Sequence, residues 1–260
     1  MHDHRTSRRQ FLQTSGTAAA ALAVWAKNGS PLLAEDRTAA QDDRPVIDTH
    51  THFYDPSRPQ GVPWPSKDNK LLYRTVLPKH FKEIAAPCGV TGTVVVEASR
   101  LVEDNQWILD LAADEPWIVG FVGRLFPGAD GDFPKHLKRF AANPLFRGIR
   151  IGQDQLAASL ADSEGAQGGK AKASPFLADL HRLAERDLSL DINGSPQMLP
   201  HVAALAAKLP GLRIVVDHVA GATIDGKTPA AAWLAGMQDP SRRENVLIKV
   251  SALAPGAARG

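Results

Sequence analysis

From Pro45 onward, short apolar or β-branched runs are followed again and again by longer segments of helical spacing. No other feature constrains the chain as much, because near-continuous apolar strands separated by helices require a parallel sheet covered on both faces. The runs are "PVID", "GTVVVEAS" (Gly92 to Ser99), "WIVGFVGRL", "FRGIRI" (Phe146 to Ile151), "LSLDING", "LRIVVDHV" (Leu212 to Val219) and "NVLIKVSAL". Helices are expected from near Pro78, over "VEDNQWILDLAADE", and over "DFPKHLKRFAAN", with Pro134 in the first turn. The segment Gly152 to Ala173 reads as a Gly-rich loop leading to "SPFLADLHRLAERD", a helix that Ser174 can cap and Pro175 can start. "SPQMLPHVAALAAKLP" and "TPAAAWLAGMQD" complete the pattern.

Two parallel architectures compete. A doubly wound open sheet is the weaker candidate, since no GxGxxG or GxxxxGK[ST] opens any of these helices. An α/β TIM-type (β/α) barrel accounts for more. Polar and ionisable residues recur at the C-terminal ends of the runs: His50 and His52, Glu97, Arg124, Arg150, Asn193, His218 and Lys249. In a barrel those ends converge on one face, where such folds place their chemistry. One domain over 45–260 suffices, after a leader and linker over 1–44.

In an extended strand side chains alternate, so His50 and His52 point one way and Thr51 the other. Two imidazoles so spaced can ligate one ion, and His218, following Asp217 at the end of the sixth run, is the natural third nitrogen. An HxH pair alone is a weak signal, and its place after the first strand is what strengthens it. Arg150 and Arg124 can stabilise a developing oxyanion or dock a carboxylate; Lys249 is a weaker candidate for the same work. Glu97 reads as a partner, a further ligand or a solvated carboxylate, and Asn193 as a substrate contact. Cys88, the only cysteine, excludes an intramolecular disulfide and any CxxC motif, and reads as a buried, inert thiol.

These stretches resemble the amidohydrolase-related superfamily of metal-dependent TIM-barrel hydrolases. The likeness rests on "VIDTHTHFYDP", "TVVVEAS", "FRGIRI", "VVDHVAG" and "NVLIKVSAL", and is greatest to the branch of 2-pyrone-4,6-dicarboxylate lactonases and L-fuconolactonases. It implies metal ligation by His50, His52 and His218 and an anion-binding Arg150; beside it, the strand-end positions lead us to expect catalytic parts for Arg150, His218 and Asp217, and substrate contacts from Arg124, Arg150, Glu97, Asn193 and Lys249. It also implies a divalent cofactor, zinc or manganese, loosely held or dispensable in some members, and a small lactone or amide as substrate. A metal-dependent decarboxylase or hydratase is the alternative chemistry.

The family pattern carries an aspartate after an eighth strand, and no such segment follows "NVLIKVSALAPGAARG". The expectation is therefore a barrel lacking its eighth βα unit, read first as a fragment, then as a partial chain, or as a homo-oligomer in which another copy closes the gap. Asp48, Asp191 or Asp217 would have to replace the missing base. An inactive barrel fragment is the non-enzymatic alternative.

At the other end, "SRRQFLQ" (Ser7 to Gln13) and the short apolar "GTAAAALAVWA" resemble a twin-arginine export signal, cut near Ala34, which would place the protein in the periplasm; an unused leader would leave it cytoplasmic. The apolar stretch is too short for a good membrane span. A net charge of +2 with no basic, aromatic-interleaved patch gives no case for nucleic acid, leaving a small molecule as the expected partner.

Overall fold

The computed structural model describes residues 44–129, 131–164 and 174–253. The expected export leader lies outside them. The strands are β1 (Ile47–Thr51), β2 (Gly92–Val96), β3 (Ile118–Gly123), β4 (Phe146–Gly152), β5 (Ser189–Asn193), β6 (Arg213–Val216) and β7 (Val246–Ile248). They pair in sequence order, all parallel. The helices between them are α1 (Pro78–Ala85), α2 (Asp104–Ala113), α3 (Phe133–Phe140), α4 (Gln153–Glu164), α5 (Pro175–Ala184), α6 (Leu199–Lys208) and α7 (Ala231–Met237). This is the expected TIM-type arrangement, and among the described residues no eighth strand joins β7 to β1.

Local sequence explains the elements. In α3, Pro134 lies in the first turn, where no intrahelical donor is needed, and Phe133, Leu137 and Phe140 bury one face at helical spacing. The hydroxyl of Ser174 accepts the Leu177 N–H at 3.5 Å and caps α5 as expected. Gly148 in β4 permits the close approach of β5, since a Cβ there would meet the Ser189 carbonyl oxygen at 2.3 Å. Around these strands Phe121, Phe146, Leu180, Leu190, Ile192 and Leu205 form one continuous core.

Two expectations need correction. The loop expected over Gly152 to Ala173 opens with α4, whose Leu156 and Leu160, four residues apart, are both buried. Good helix formers dominate its sequence, and that propensity outweighs the glycines beyond Glu164. Cys88 is exposed rather than buried. It ends the single helical turn Ala86–Cys88, which Gly89 closes with a φ of 80° on the outer surface. No helix among the described residues is long and apolar enough to cross a membrane.

Candidate active site

β1 delivers the first imidazole to the C-terminal rim. The His50 N–H donates to Asp48 Oδ1 at 2.9 Å, which commits that carboxylate to shaping the strand. Thr51 turns toward β2, its hydroxyl 2.7 Å from that of Thr93. His52 follows the strand and places Nδ1 2.9 Å from the Val96 carbonyl oxygen. A carbonyl only accepts, so Nδ1 carries the proton and Nε2 keeps its lone pair. Burial first, then the Arg150 charge, pushes the His52 pKa down to about 3, so this imidazole is neutral at pH 7.

β6 supplies the opposing groups through an unusual turn. The Asp217 N–H donates to the Ile192 carbonyl at 2.9 Å, tying the carboxylate to β5. His218, Val219 and Ala220 then adopt φ values of 54°, 47° and 56°, in the left-handed region. That conformation costs about 1–2 kcal/mol per non-glycine residue and is hardest on a β-branched one such as Val219. Neighbours hold it in place: the Val219 N–H donates to the Lys249 carbonyl at 3.0 Å, and Trp233 Nε1 donates to the Val219 carbonyl at 2.8 Å. The turn brings the His218 ring centre within 4.3 Å of that of His50. His218 Nδ1 lies 2.8 Å from Ser251 Oγ, and burial, followed by the neighbouring His50, lowers its pKa.

One donor atom each from His50, Asp217 and His218 lie within 4.8 Å of one another. His52 stands beside this trio, its ring centre 5.1 Å from that of His50. Two imidazoles and a carboxylate form a donor set that suits a borderline divalent ion. Neither oxygen of the fully buried Asp217 accepts a hydrogen bond; its nearest charged neighbours are Lys249 Nζ at 3.3 Å and His50 Nδ1 at 3.4 Å. A cation would meet that need, so the residues present fit the group. Burial pushes the Asp217 carboxyl up, yet contact with His50 and the charges of Lys249 and Arg150 outweigh it and hold the pKa below the ordinary carboxylate value. Asp191 goes the other way: burial raises it, and the pull of Lys249 does not fully offset this.

The cationic side is equally ordered. Arg150 Nε donates to Glu97 Oε1 at 3.0 Å and its Nη2 to the Glu97 carbonyl at 2.5 Å, which fixes the guanidinium with Nη1 3.5 Å from His50 Nε2. Glu97 is thus the partner of Arg150, one of the three parts open to it. Arg124 donates through Nη1 to the Arg150 carbonyl at 3.1 Å, and Asn105 bonds both its backbone N–H and its carbonyl. A cavity of about 690 Å³ is lined by His52, Trp64, Arg100, Arg124, Arg150, Asn193 and His218 among others. Lys249 instead points its ammonium at Asp191, 2.5 Å away.

The expected residues therefore gather at one rim. Sequence reasoning passed over Asn105, Arg100 and Ser251. Only Ser251 carried a usable signal, its i, i+2 spacing from Lys249 along the last run.

Comparison with known proteins agrees with this geometry. The amidohydrolase family matches residues 47–259. An L-fucono-1,5-lactonase of Burkholderia ambifaria is 31% identical over 208 residues, which span 80% of this chain and 67% of that enzyme. A second L-fucono-1,5-lactonase, from Burkholderia multivorans, is 26% identical over 216 residues, spanning 80% of this chain and 68% of the relative. Among solved structures, an amidohydrolase of Burkholderia multivorans with bound zinc shares the fold at a TM-score of 0.69, with 23% identity across 82% of this chain and 72% of its own. The chain therefore belongs to the amidohydrolase family and is a hydrolase, built on the strands of a TIM-type barrel.

Proposed function

We propose that this chain opens a small sugar lactone by hydrolysis. The observation that carries the reading is the convergence of His50, Asp217 and His218 within 4.8 Å beside the arginine-walled cavity, in a chain 31% identical to a lactonase. These three residues would hold the divalent ion, with the lone pair of His52 Nε2 adjacent; the donor set favours zinc, then manganese. When bound, such an ion polarises the carbonyl and acidifies a water.

The chain's own groups supply the rest. Arg150, locked by Glu97, and Arg124, whose guanidinium donates to the Arg150 carbonyl, hold the developing oxyanion or a substrate carboxylate without having to reorganise. Of the three aspartates that could receive the proton of the attacking water, Asp48 is committed to the His50 N–H, and Asp191 to Lys249 and Ser189. Asp217 keeps two oxygens without a hydrogen bond, one to ligate and one to accept that proton. The proton then passes to the ring oxygen as the acyl C–O bond breaks, releasing a hydroxy acid.

The paired arginines Arg8 and Arg9 before Phe11 support export by the twin-arginine route to the periplasm. Metal analysis and a lactone panel that includes L-fucono-1,5-lactone test the reading. Asp217→Asn should lower kcat/KM by about 100-fold or more, the usual scale for losing a positioned base. Wild-type turnover by this variant, or no lactone opened by the metal-loaded wild type, would sink the proposal.

A further inference from the structure

Lys249 was expected to meet substrate, but its surroundings give it different work. Its side chain is 13% exposed, and its ammonium lies 2.5 Å from Asp191 Oδ2, 3.3 Å from Asp217 Oδ1 and 3.4 Å from His50 Nδ1. Two carboxylates buried side by side repel one another and need a counter-charge. Arg150 also approaches, 3.9 Å from Asp217 Oδ2, but Glu97 already pairs with it. Lys249 has no such separate partner among the described contacts: the anions facing it are Asp191 and Asp217 themselves.

Asp217 Oδ1 and His50 Nδ1, which both stand within 3.4 Å of this ammonium, also belong to residues of the three-donor cluster. A divalent ion on that cluster has a like charge as its neighbour, and like charges at such range disfavour each other most where water is excluded.

We infer that Lys249 is the site's resident cation, neutralising the Asp191–Asp217 pair and competing with divalent metal for the His50–Asp217–His218 cluster. The ammonium keeps the carboxylates and imidazoles in place when no ion is bound. The same contact holds metal affinity down. The inference rests on the metal cluster of the proposed function and adds a residue that sets how tightly that cluster binds.

Zinc titration by calorimetry, with thermal unfolding in parallel, tests it on the full chain, on His218→Ala, on Lys249→Met and on Lys249→Met combined with His218→Ala. Lys249→Met should bind zinc at least about 10-fold more tightly than wild type, the lower end of what neighbours of metal ligands contribute. Zinc should also raise its Tm more than it raises that of the wild type, and His218→Ala should remove both gains. Equal or weaker zinc binding by the folded variant, with His218-dependent binding in the wild type, overturns the inference and leaves the cluster standing. No His218-dependent zinc binding in either protein overturns both. If Lys249→Met does not fold, zinc-soaked crystals of the wild type decide: the ammonium should leave Asp217 while keeping Asp191. An ammonium unmoved beside a bound ion overturns the inference.

Discussion

The β4–β6 side of the barrel and its β7–β1 side are written in the same apolar alphabet, yet they are different materials. Along β4, β5 and β6 the register runs without interruption, and Ile149, Leu190, Ile192 and Ile214 are fully buried. Among the described residues β7 pairs only with β6 and β1 only with β2; Leu247 is 45% and Val250 is 72% exposed. Burial thus follows from neighbours rather than from composition. The site draws on both sides: Arg150, Asp191 and Asp217 come from the packed side, His50 and Lys249 from the two edges.

The sharpest way to break this comparison is a pair of truncations at one level of the sheet, on either side of Val216. Ile192→Ala should destabilise the fold by about 3 kcal/mol, within the range for a buried large-to-small change. Ile248→Ala, at 37% exposure, should cost under about 1 kcal/mol. Urea unfolding measures both, and equal losses would mean that the β7 side is packed as tightly as the β5 side.

Acid probes the shared rim next, where His52 comes from the β1 edge and His218 from the packed side. His52 and His218 have lowered pKa values in the folded chain, so the unfolded chain binds their protons more readily. Stability is therefore complete above the ordinary histidine value of 6.5 and is lost as pH falls, His52 continuing to contribute down to about 3. Asp217, also lowered, loses stability in the same direction, whereas the raised Asp191 opposes it. A urea midpoint that falls between pH 7.5 and pH 5, and falls less in His52→Gln, is the expected result. An unchanged midpoint would show that these imidazoles are as well solvated as exposed residues.

The smallest effect concerns the turn that links the two sides. Val219→Gly removes the steric cost of φ 47° and should stabilise the fold by up to about 1 kcal/mol, with lower activity because His218 is then held less firmly. Unchanged stability would mean that the turn is unstrained.

How much of this could be read in the sequence follows from the range of each interaction. His50, His52, His218 and Lys249 were legible because strand-end position and period-2 spacing are local properties. Helix α4 was also written locally, in Leu156 and Leu160 at i, i+4, but the glycines beyond it obscured the pattern. Partnerships were not legible. Glu97 meets Arg150 across 53 positions, and Lys249 meets Asp191 across 58, so each pairing is decided by the curl of the sheet. The left-handed turn carried no signal, since nothing in "DHVAG" marks three consecutive residues before the glycine for positive φ.

The contact between Lys249 and His50 spans 199 positions and joins the last described strand to the first. Contacts of such separation are costly in chain entropy and form late in folding. On a ribosome, β1 through β6 can collapse around Phe121, Ile149 and Leu190 while His50 still has no ammonium beside it. The counter-charge beside Asp217 and the backbone acceptor that steadies the His218 turn are therefore both supplied late in synthesis, by the one short segment that bears Lys249.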